Sequence, residues 1–374
     1  MIVEKIRLSK PLINDKKKLF NLFREILKSG FFVQVKYVTL FEKQFAEYLE
    51  VKHAVAVSSG TAALHIALLT IGIKPGDEII IPAYTFPATA NVVELTGAKP
   101  VLVDVNIDTY NIDTKALEKF ISDKTRAIIP VHLFGNPACM EEIMKIARKY
   151  DLYVIEDSAG ALGSTFRGKK CGTIGHIGCF SLHPRKIITT AEGGVITTNN
   201  DNFAEKFRLL RNHGIKKKGD RFDVVTPGFN YRMNEFEAAV GIVQIKKINK
   251  LLEQRRKIAK FYMNELKKNK YIKFQEVMDG CTNSWQAFVI RLIKAENTFS
   301  LLERFQKTPI EVSIGTYAIH LLEYYSKKYR LKPSDYPNAQ NLYYNCLAIP
   351  FFNGLKKSSL TTVIKTLKEQ LNEI

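Results

Sequence analysis

The chain has 374 residues, of which 46% are hydrophobic and 25% are charged, proportions that exclude a disordered, collagen-like or small disulfide-rich protein. Lysine and arginine outnumber aspartate and glutamate by 56 to 37, a net charge of +19, but the lysines are spread along the whole chain. No nucleic-acid-binding motif accompanies them, so we expect a lysine-rich solvated surface and no nucleic-acid partner.

The first half of the chain predicts an α/β arrangement. Residues 15 to 50 have helical patterns interrupted near Gly30, and between residues 50 and 200 short β-branched runs alternate with longer amphipathic stretches. This alternation predicts a mostly parallel sheet with helices on both faces, and ligands bind such sheets at the carboxyl ends of the strands. The predicted strands are Ala54 to Val57, Glu78 to Ile81, Val101 to Val105, Ala127 to His132, Tyr153 to Glu156 and Gly178 to Leu182. The predicted helices are Ala62 to Ile71, Thr114 to Ile121 and Met140 to Tyr150.

The second half predicts a smaller unit. Glu235 to Lys268 is rich in alanine, isoleucine, glutamate and lysine, which predicts one long helix. We therefore expect a large domain over residues 1–245, including the N-terminal helical segment, and a smaller α+β domain over residues 246–374. After a composition change at Asn269 the predicted strands are Tyr271 to Phe274 and Ala287 to Ile293, and the predicted helices are Ser300 to Lys307 and Leu360 to Leu371.

The sequence favours a reducing compartment. No apolar run approaches the roughly 18 residues of a membrane span, and the first ten residues lack a signal-peptide core. The five cysteines are an odd number without a Cys-x-x-Cys pair, which suits reduced thiols better than a disulfide framework. We therefore expect a cytoplasmic protein without a membrane span.

Three features could carry chemistry. In the first, Val57 to Leu64, a strand passes through a small polar turn into a helix, whose first N–H groups could hold a phosphate. The alternative is an ordinary N-cap at Ser59 or Thr61. In the second, a strand ends in Glu156 and Asp157, whose side chains point to opposite faces. One carboxylate there could bind ribose, a metal or a protonated ring nitrogen, or simply cap a helix.

The third feature is a lysine just after a strand. Lys186 follows Cys179 to Arg185 and precedes hydroxyl residues and Gly193. Burial would lower the pKa of such an amine and let it form a Schiff base with a carbonyl, although most lysines of so basic a chain lie on the surface.

A helix start for phosphate, an acid at a strand end and a later lysine, in that order, are the equipment of a pyridoxal 5′-phosphate site. A metal site is a weaker hypothesis. Cys171, His176, Cys179 and His183 lack the close pair typical of zinc sites and run through a predicted strand, so we expect no metal.

Longer motifs are more specific. The sequence contains SSGTAALHIALL, PGDEIIIPAYTFPATAN, AIIPVHLFG, VIEDSAGALGS, CFSLHPRKIITTAEGG, LRNHG and FNYRMNEFEAA. In these it resembles, over nearly its whole length, the sugar aminotransferases of the DegT/DnrJ/EryC1/StrS group. The resemblance implies a PLP-dependent transferase of fold type I, which is aspartate-aminotransferase-like, and pyridoxal 5′-phosphate as cofactor.

The resemblance also implies roles for individual residues. Lys186 would bind the cofactor aldehyde and carry protons, Asp157 would pair with the pyridinium nitrogen, and Phe86 would stack on the ring. Asn230 would reach the cofactor phosphate of the neighbouring subunit in a homodimer with shared active sites. The implied phosphate contacts are Thr61, Ala62 and Ser181, and Ser59 and Gly60 are further implied cofactor contacts. The implied substrate contacts are His183, Tyr317 and His320.

The sequence departs from the family pattern at three positions that concern substrate positioning. Gly160 stands where relatives commonly carry Gln or Glu, so a contact near the ring hydroxyl would be missing or supplied by water. Ala191 replaces a familiar glycine, and Val35 stands where a glycine often lies in the N-terminal loop.

The implied reaction moves an amino group from L-glutamate to a keto group of a nucleotide-diphosphate sugar, as in cell-surface polysaccharide or amino-sugar biosynthesis. One alternative is a sugar dehydratase that uses pyridoxamine phosphate, although such relatives carry histidine where this chain has Lys186. Another is a non-catalytic, sugar-nucleotide-binding or regulatory relative. The run Lys216 to Lys218 would either attract the diphosphate at the mouth of the site or belong to the solvated surface.

Overall fold

A mixed seven-stranded sheet organises the larger part of the chain in the computed structural model, which describes residues 5–293 and 298–372. In chain order the strands are β1 His53–Val57, β2 Glu78–Pro82, β3 Tyr84–Thr85, β4 Lys99–Val103, β5 Thr125–Ile128, β6 Tyr153–Asp157, β7 Thr165–Phe166, β8 Lys169–Lys170, β9 Ile177–Ser181, β10 Gly194–Thr198, β11 Ile215–Lys218, β12 Arg221–Val224, β13 Ile272–Phe274, β14 Cys281–Thr282, β15 Phe288–Leu292, β16 Ser313–Ile314, β17 Tyr317–Ala318 and β18 Cys346–Ile349.

Helices cover the sheet and connect its strands. They are α1 Lys16–Ser29, α2 Lys36–Leu49, α3 Gly60–Thr70, α4 Ala88–Leu95, α5 Thr114–Leu117, α6 Met140–Lys149, α7 Asp201–Leu210, α8 Glu235–Ile245, α9 Ile248–Leu266, α10 Thr298–Phe305, α11 Glu323–Tyr329, α12 Pro337–Asn345 and α13 Lys357–Asn372. No helix within the described ranges combines the length and apolar character of a membrane span.

The large sheet has the strand order β1-β10-β9-β6-β5-β2-β4. Within this sheet β10 runs antiparallel to both of its neighbours, and the other strands run parallel to one another. The mostly parallel sheet is confirmed, but the sequence analysis did not predict β10. That strand begins at Gly194, directly after a glycine-rich turn, and its short apolar run carries no alternation of its own.

The predicted long helix is wrong, because two helices replace it. Helix α8 ends at Ile245 and α9 begins at Ile248, with a turn at Lys246 and Lys247 between them. Helix α8 is buried in the cluster that covers the large sheet, whereas the far half of α9 packs under the smaller sheet. The chain bends between α8 and α9, so that one helix packs in the first hydrophobic cluster and the far half of the other packs in the second.

The smaller sheet is four-stranded and antiparallel, in the order β13-β15-β18-β16. Residues near the N-terminus join this part: Ile6 pairs with Ile310, and Phe351 N–H donates to the Leu8 carbonyl at 3.0 Å. A domain division after residue 245 stays a prediction. Strand β17 pairs with β3 and so ties the smaller part to the large one next to Phe86.

His320, predicted to contact the substrate, lies in the contact between the two parts and is not among the residues that line the cavity described below. It belongs to a 3₁₀ turn, Ile319–Leu321, that turns its ring inward against Tyr336, with ring centroids 4.8 Å apart. The residue is 1% exposed, and within the described part of the chain neither ring nitrogen has a hydrogen-bond partner. Burial lowers the pKa of His320 to about 4.

The start of α2 depends on a side chain from α8. The Glu235 carboxylate accepts hydrogen bonds from the N–H groups of Val35, Tyr37 and Val38 at 2.8, 2.6 and 3.2 Å. These amides lie at a helix start, where no carbonyl is available one turn earlier. Val35 has φ −119°, outside the left-handed region that favours glycine, whereas Gln34 before it adopts φ 54°.

We expect Glu235→Ala to lower the free energy of unfolding by about 3 kcal/mol or more, because the buried amides of Tyr37 and Val38 and the half-buried amide of Val35 lose a charged acceptor. Urea unfolding followed by circular dichroism measures this change. The matched control is Glu253→Ala, which removes an exposed carboxylate of α9 that forms a surface ion pair with Lys257 and should leave the urea midpoint unchanged. Equal midpoints for the two variants would contradict the capping role.

We expect His320 to make the protein less stable in mild acid. The unfolded histidine binds a proton near pH 6.5 and the folded one near pH 4, so between these values the unfolded state binds more protons. Lowering the pH from 7 to 5 should therefore remove about 1–2 kcal/mol of stability through this residue. Urea unfolding of wild type and His320→Leu at both pH values tests this. A pH-induced loss of the same size in both proteins would contradict it.

Candidate active site

A cavity of about 510 Å³ lies at the carboxyl ends of β1, β6 and β9, between the large sheet and the smaller part. Its walls come from the segments that follow these strands and from segments 286–287 and 313–317 of the smaller part. The residues predicted from the sequence that line it are Ser59, Gly60, Thr61, Phe86, Asp157, Ser181, His183, Lys186 and Tyr317.

The start of α3 forms one wall. Ser59 is its N-cap, because the Ser59 hydroxyl accepts the N–H of Ala62 at 3.0 Å. Gly60 and Thr61 still line the cavity, where the free amides of a first turn and the helix dipole favour an anion. Ala62, predicted as a phosphate contact, is buried with its amide bonded to Ser59 and does not line the cavity.

This wall consists of closely packed backbone. A Cβ at Gly60 would stand 2.8 Å from the Ser181 Cβ at the end of β9. A Cβ at Gly194, the first residue of β10, would overlap the Ser59 carbonyl. Glycine is therefore required at both positions, and the helix start is fixed against two strands.

The two carboxylates at the end of β6 point in opposite directions, as strand alternation predicts. Glu156 faces away from the cavity, where it is buried and accepts the N–H groups of Gly172, Ile174 and Gly175 at 2.6–2.7 Å. The Nε2 atom of His132 lies 2.9 Å from the same carboxylate. Glu156 therefore orders a loop beneath the sheet, and Asp157 is the carboxylate that lines the cavity.

Asp157 is 5% exposed and hydrogen-bonded through both oxygens. The Thr89 hydroxyl donates to Oδ2 at 2.9 Å, and the Ala159 N–H donates to Oδ1 at 3.2 Å. Burial raises the pKa of Asp157, and the Thr89 and Ala159 hydrogen bonds and the charge of Lys186 oppose that rise.

Lys186 projects from a tight loop after β9. Its N–H donates to the His183 carbonyl at 2.8 Å, and Thr190 N–H closes the loop on the Leu182 carbonyl at 3.0 Å. Burial lowers the pKa of the Lys186 amine, the charge of Asp157 opposes this, and the charge of Arg185 adds to it. The departure at Ala191 falls in this loop at φ 74°, a left-handed conformation that costs an alanine about 1–2 kcal/mol.

Gly160 leaves room for a side chain from the smaller part. Gln286 packs beside it, with its Oε1, Cβ and Cγ atoms 3.3–3.4 Å from the position that a Cβ would occupy. The Gln286 amide donates to the Arg185 carbonyl at 3.0 Å, directly before Lys186. The buried guanidinium of Arg255 holds the Gln286 carbonyl at 3.2 Å. A side chain from a distant segment thus occupies the space next to Gly160.

Two aromatic side chains border the mouth of the cavity. Phe86 is 61% exposed, and its ring lies edge to face with Tyr317 at a centroid distance of 6.0 Å. Burial lowers the pKa of His183, whose Nδ1 accepts the Arg185 N–H at 3.2 Å. An exposed apolar face beside a cavity is available to stack on a ligand ring.

Several predicted residues lie outside the cavity lining. Asn230 is exposed and pairs with Asn212 of the same chain. In the β11–β12 hairpin Lys216 bonds to Glu205 at 2.6 Å and Lys218 bonds to Asp223 at 2.9 Å. Across residues 5–293 and 298–372 no three histidine, cysteine or acidic side chains are grouped to hold a metal ion.

The sequence analysis missed other side chains that line the cavity. Thr89 and Gln286 contact predicted site residues, and Arg185 and Glu192 flank the lysine loop. The motifs TFPATAN and HPRK contain Thr89 and Arg185, so a signal for these two was present. Gln286 carried no signal, because its position next to Gly160 depends on tertiary structure.

The residues fit pyridoxal 5′-phosphate. A buried amine and a buried carboxylate line the same cavity, a helix start offers free amides to a phosphate, and Phe86 offers a flat face. When bound, the cofactor supplies an electron sink for the bond that breaks at the carbon bearing the amino group. In this arrangement Ser59 to Thr61 would hold the phosphate, Asp157 the ring nitrogen and Lys186 the aldehyde.

The comparisons with known proteins agree with this fit. The family model for the DegT/DnrJ/EryC1/StrS aminotransferase family matches residues 14–368. The chain is 38% identical over 340 residues to a GDP-perosamine synthase of Caulobacter vibrioides, covering 90% of each chain.

Solved structures agree as well. Helicobacter pylori PseC, an aminotransferase involved in the biosynthesis of pseudoaminic acid, is 30% identical, with a TM-score of 0.92 over 99% of this chain and 100% of that one. Spr1654 from Streptococcus pneumoniae, described as a sugar aminotransferase, is 28% identical in its PMP form, with a TM-score of 0.93 over 99% and 98% of the chains, and was also solved in a PLP form. These matches confirm the aspartate-aminotransferase-like fold and the cofactor. The chain therefore belongs to the DegT/DnrJ/EryC1/StrS aminotransferase family of pyridoxal-phosphate-dependent sugar aminotransferases.

Proposed function

We propose that this enzyme transfers the amino group of L-glutamate to a keto group of a nucleotide-diphosphate-linked sugar. The observation that carries the proposal is that half-buried Lys186 and buried Asp157, whose charges are opposite, line one cavity of about 510 Å³. The GDP-perosamine synthase relative, whose name contains a nucleotide-linked sugar, supports this acceptor class.

The two charged groups have separate tasks in this proposal. Asp157 keeps a proton on the ring nitrogen, since a nearby anion favours the protonated, cationic ring. Lys186 first holds the cofactor and then, once released, moves the proton between the substrate carbon and the cofactor carbon. The lowered pKa of its amine suits this second task, because a larger fraction of the amine is neutral and able to accept a proton.

Both substrates use the same cavity in turn. In the proposed reaction glutamate would enter first and depart as a keto acid, and the keto sugar would enter second; the cofactor, held by Lys186 and Asp157, would carry the amino group between them. Arg185 lines the cavity near the lysine, so either substrate's negative charge meets a positive charge there. We also propose that the run Lys216 to Lys218 attracts the diphosphate of the sugar nucleotide. Two of these lysines, Lys216 and Lys218, form ion pairs with carboxylates of this chain.

Lys186 disfavours the two alternatives. A dehydratase of this family carries histidine at that position, and a regulatory protein without activity has no need of a buried amine beside a buried carboxylate. A cytoplasmic location is also part of the proposal. The free thiols of Cys171, Cys179 and Cys346 are buried, which suits a reducing compartment.

We further propose a homodimer in which each subunit completes the other's site. Large apolar side chains are exposed at Phe31, Phe32 and Val33 and on the hairpin at Phe222 and Val224. Exposed apolar groups of this kind mark surfaces that bind another protein. The segment with Asn230 follows that hairpin, and in a symmetric pair each copy would offer it to the other.

We expect L-glutamate to change the visible absorbance of the PLP-bound enzyme and a keto-sugar nucleotide to restore it. In Lys186→Ala turnover should fall at least about 10³-fold, because both attachment and proton transfer are lost. The control is Lys260→Ala, an exposed lysine of α9, with normal turnover. Bleaching by another amino acid but not by glutamate would refute the donor. Equal rates with a keto sugar that lacks the nucleotide would refute the acceptor.

We expect purified mixed dimers of Lys186→Ala and Asn230→Asp subunits to have about half of the wild-type rate per dimer, because one site per pair is then intact. Co-expression with two affinity tags isolates such dimers. The control is a mixed dimer of Lys186→Ala and Asp157→Asn subunits, which should stay inactive. Lys186 and Asp157 line the cavity of the same subunit, so each of the two sites then lacks one of them. Inactivity of the first mixture would place Asn230 in its own subunit's site, and wild-type activity of the Asn230→Asp homodimer would place it in no site.

A further inference from the structure

Two threonine hydroxyls connect to Asp157 inside the protein. The Thr85 and Thr89 Oγ1 atoms are 3.2 Å apart, and Thr89 Oγ1 lies 2.9 Å from Asp157 Oδ2. Both threonines are 0% exposed. All three side chains line the cavity. The carboxylate is therefore held by a short hydrogen-bond chain that neither the family motifs nor the proposed reaction explains.

The direction of this chain follows from the number of hydrogens. Each hydroxyl has one hydrogen to donate, and an ionised carboxylate only accepts. Thr89 must therefore use its hydrogen on Asp157. The Thr85 hydroxyl then donates to Thr89, whose oxygen still has a free lone pair. An ionised Asp157 thus fixes the orientation of both hydroxyls.

The two oxygens of Asp157 are held from different elements. Oδ2 is held by Thr89 from the first turn of α4, and Oδ1 is held by the Ala159 N–H from the loop after β6. Two donors that approach from separate segments fix the plane of the carboxylate. They also stabilise its charged form against burial, which raises the pKa of Asp157.

The same turn carries the aromatic residue at the cavity mouth. The Thr89 N–H donates to the Phe86 carbonyl at 3.2 Å, so a hydrogen bond joins the two residues within one turn. Thr85 lies in β3, which pairs with Tyr317 of the smaller part. The hydroxyl chain therefore connects the carboxylate to the segment that presents both aromatic rings.

We propose that Thr89, oriented by Thr85, is a positioning residue that holds Asp157 ionised and aimed at the ring nitrogen of pyridoxal phosphate. The inference rests on the cofactor and not on the identity of either substrate. Loss of the Thr89 hydroxyl leaves Asp157 Oδ2 without this donor. The carboxylate then favours the ring proton less, so the ring nitrogen releases its proton at a lower pH.

The test compares Thr89→Val, which removes the hydroxyl at nearly constant volume, with Thr89→Ser, which keeps it. NMR of bound cofactor with an isotope-labelled ring nitrogen follows the ring proton as pH rises, without any substrate. We expect its release to shift down by about one unit or more in Thr89→Val, and cofactor affinity to fall about tenfold. Thr89→Ser should stay close to wild type in both measurements, and Thr85→Val should shift both in the same direction by less.

Thr96→Val is the matched control. Thr96 is a buried threonine at the end of the same helix, and its hydroxyl donates to the Val93 carbonyl rather than to Asp157. It should leave the ring-nitrogen titration unchanged even if it lowers stability. Two results would overturn the proposal: a wild-type titration in Thr89→Val, or equal shifts in Thr89→Ser and Thr89→Val. Because no substrate is used, rejection of glutamate or of sugar nucleotides by the enzyme would leave this test intact.

Discussion

Burial of opposite charges beside one cavity is the constraint on which the rest of the structure depends. Asp157 and Lys186 both lose hydration. Burial raises the pKa of Asp157 and lowers the pKa of Lys186, and both shifts favour the neutral form of the group. Their mutual attraction opposes this, but a buried charge also needs hydrogen bonds. The ends of β6 and β9, the first turn of α4 and the loop after β9 together keep the two groups near each other and, in the case of Asp157, hydrogen-bonded.

The adjacent acid shows how strand geometry separates structure from chemistry. Glu156 and Asp157 are neighbours on one strand, so their side chains point to opposite faces of the sheet. Asp157 therefore points into the cavity and Glu156 points away from it. Glu156 satisfies three loop amides and His132, and this order supports the strand that presents Asp157. One strand end therefore supplies a carboxylate for the fold and a carboxylate for the site.

Much of this arrangement could be predicted because it is local in sequence. The periodic apolar runs predicted most strands, and their ends predicted Asp157 and Lys186 as candidate site residues. Such local patterns do not predict contacts between residues that are far apart in the sequence. Thr89 lies 68 residues before Asp157, and Gln286 fills the space at Gly160 from another part of the chain. For His320 the sequence could not indicate which way a 3₁₀ turn would direct the ring.

The wall built from Gly60, Ser181 and Gly194 has a consequence for how such enzymes diverge. A Cβ at Gly60 would meet the Ser181 Cβ and a Cβ at Gly194 would meet the Ser59 carbonyl, so a substitution at either glycine would displace the start of α3. The facing wall consists of side chains such as Gln286 and Tyr317, which can be exchanged one at a time. We therefore expect substitutions in the side-chain wall to be tolerated more readily than substitutions at Gly60 or Gly194.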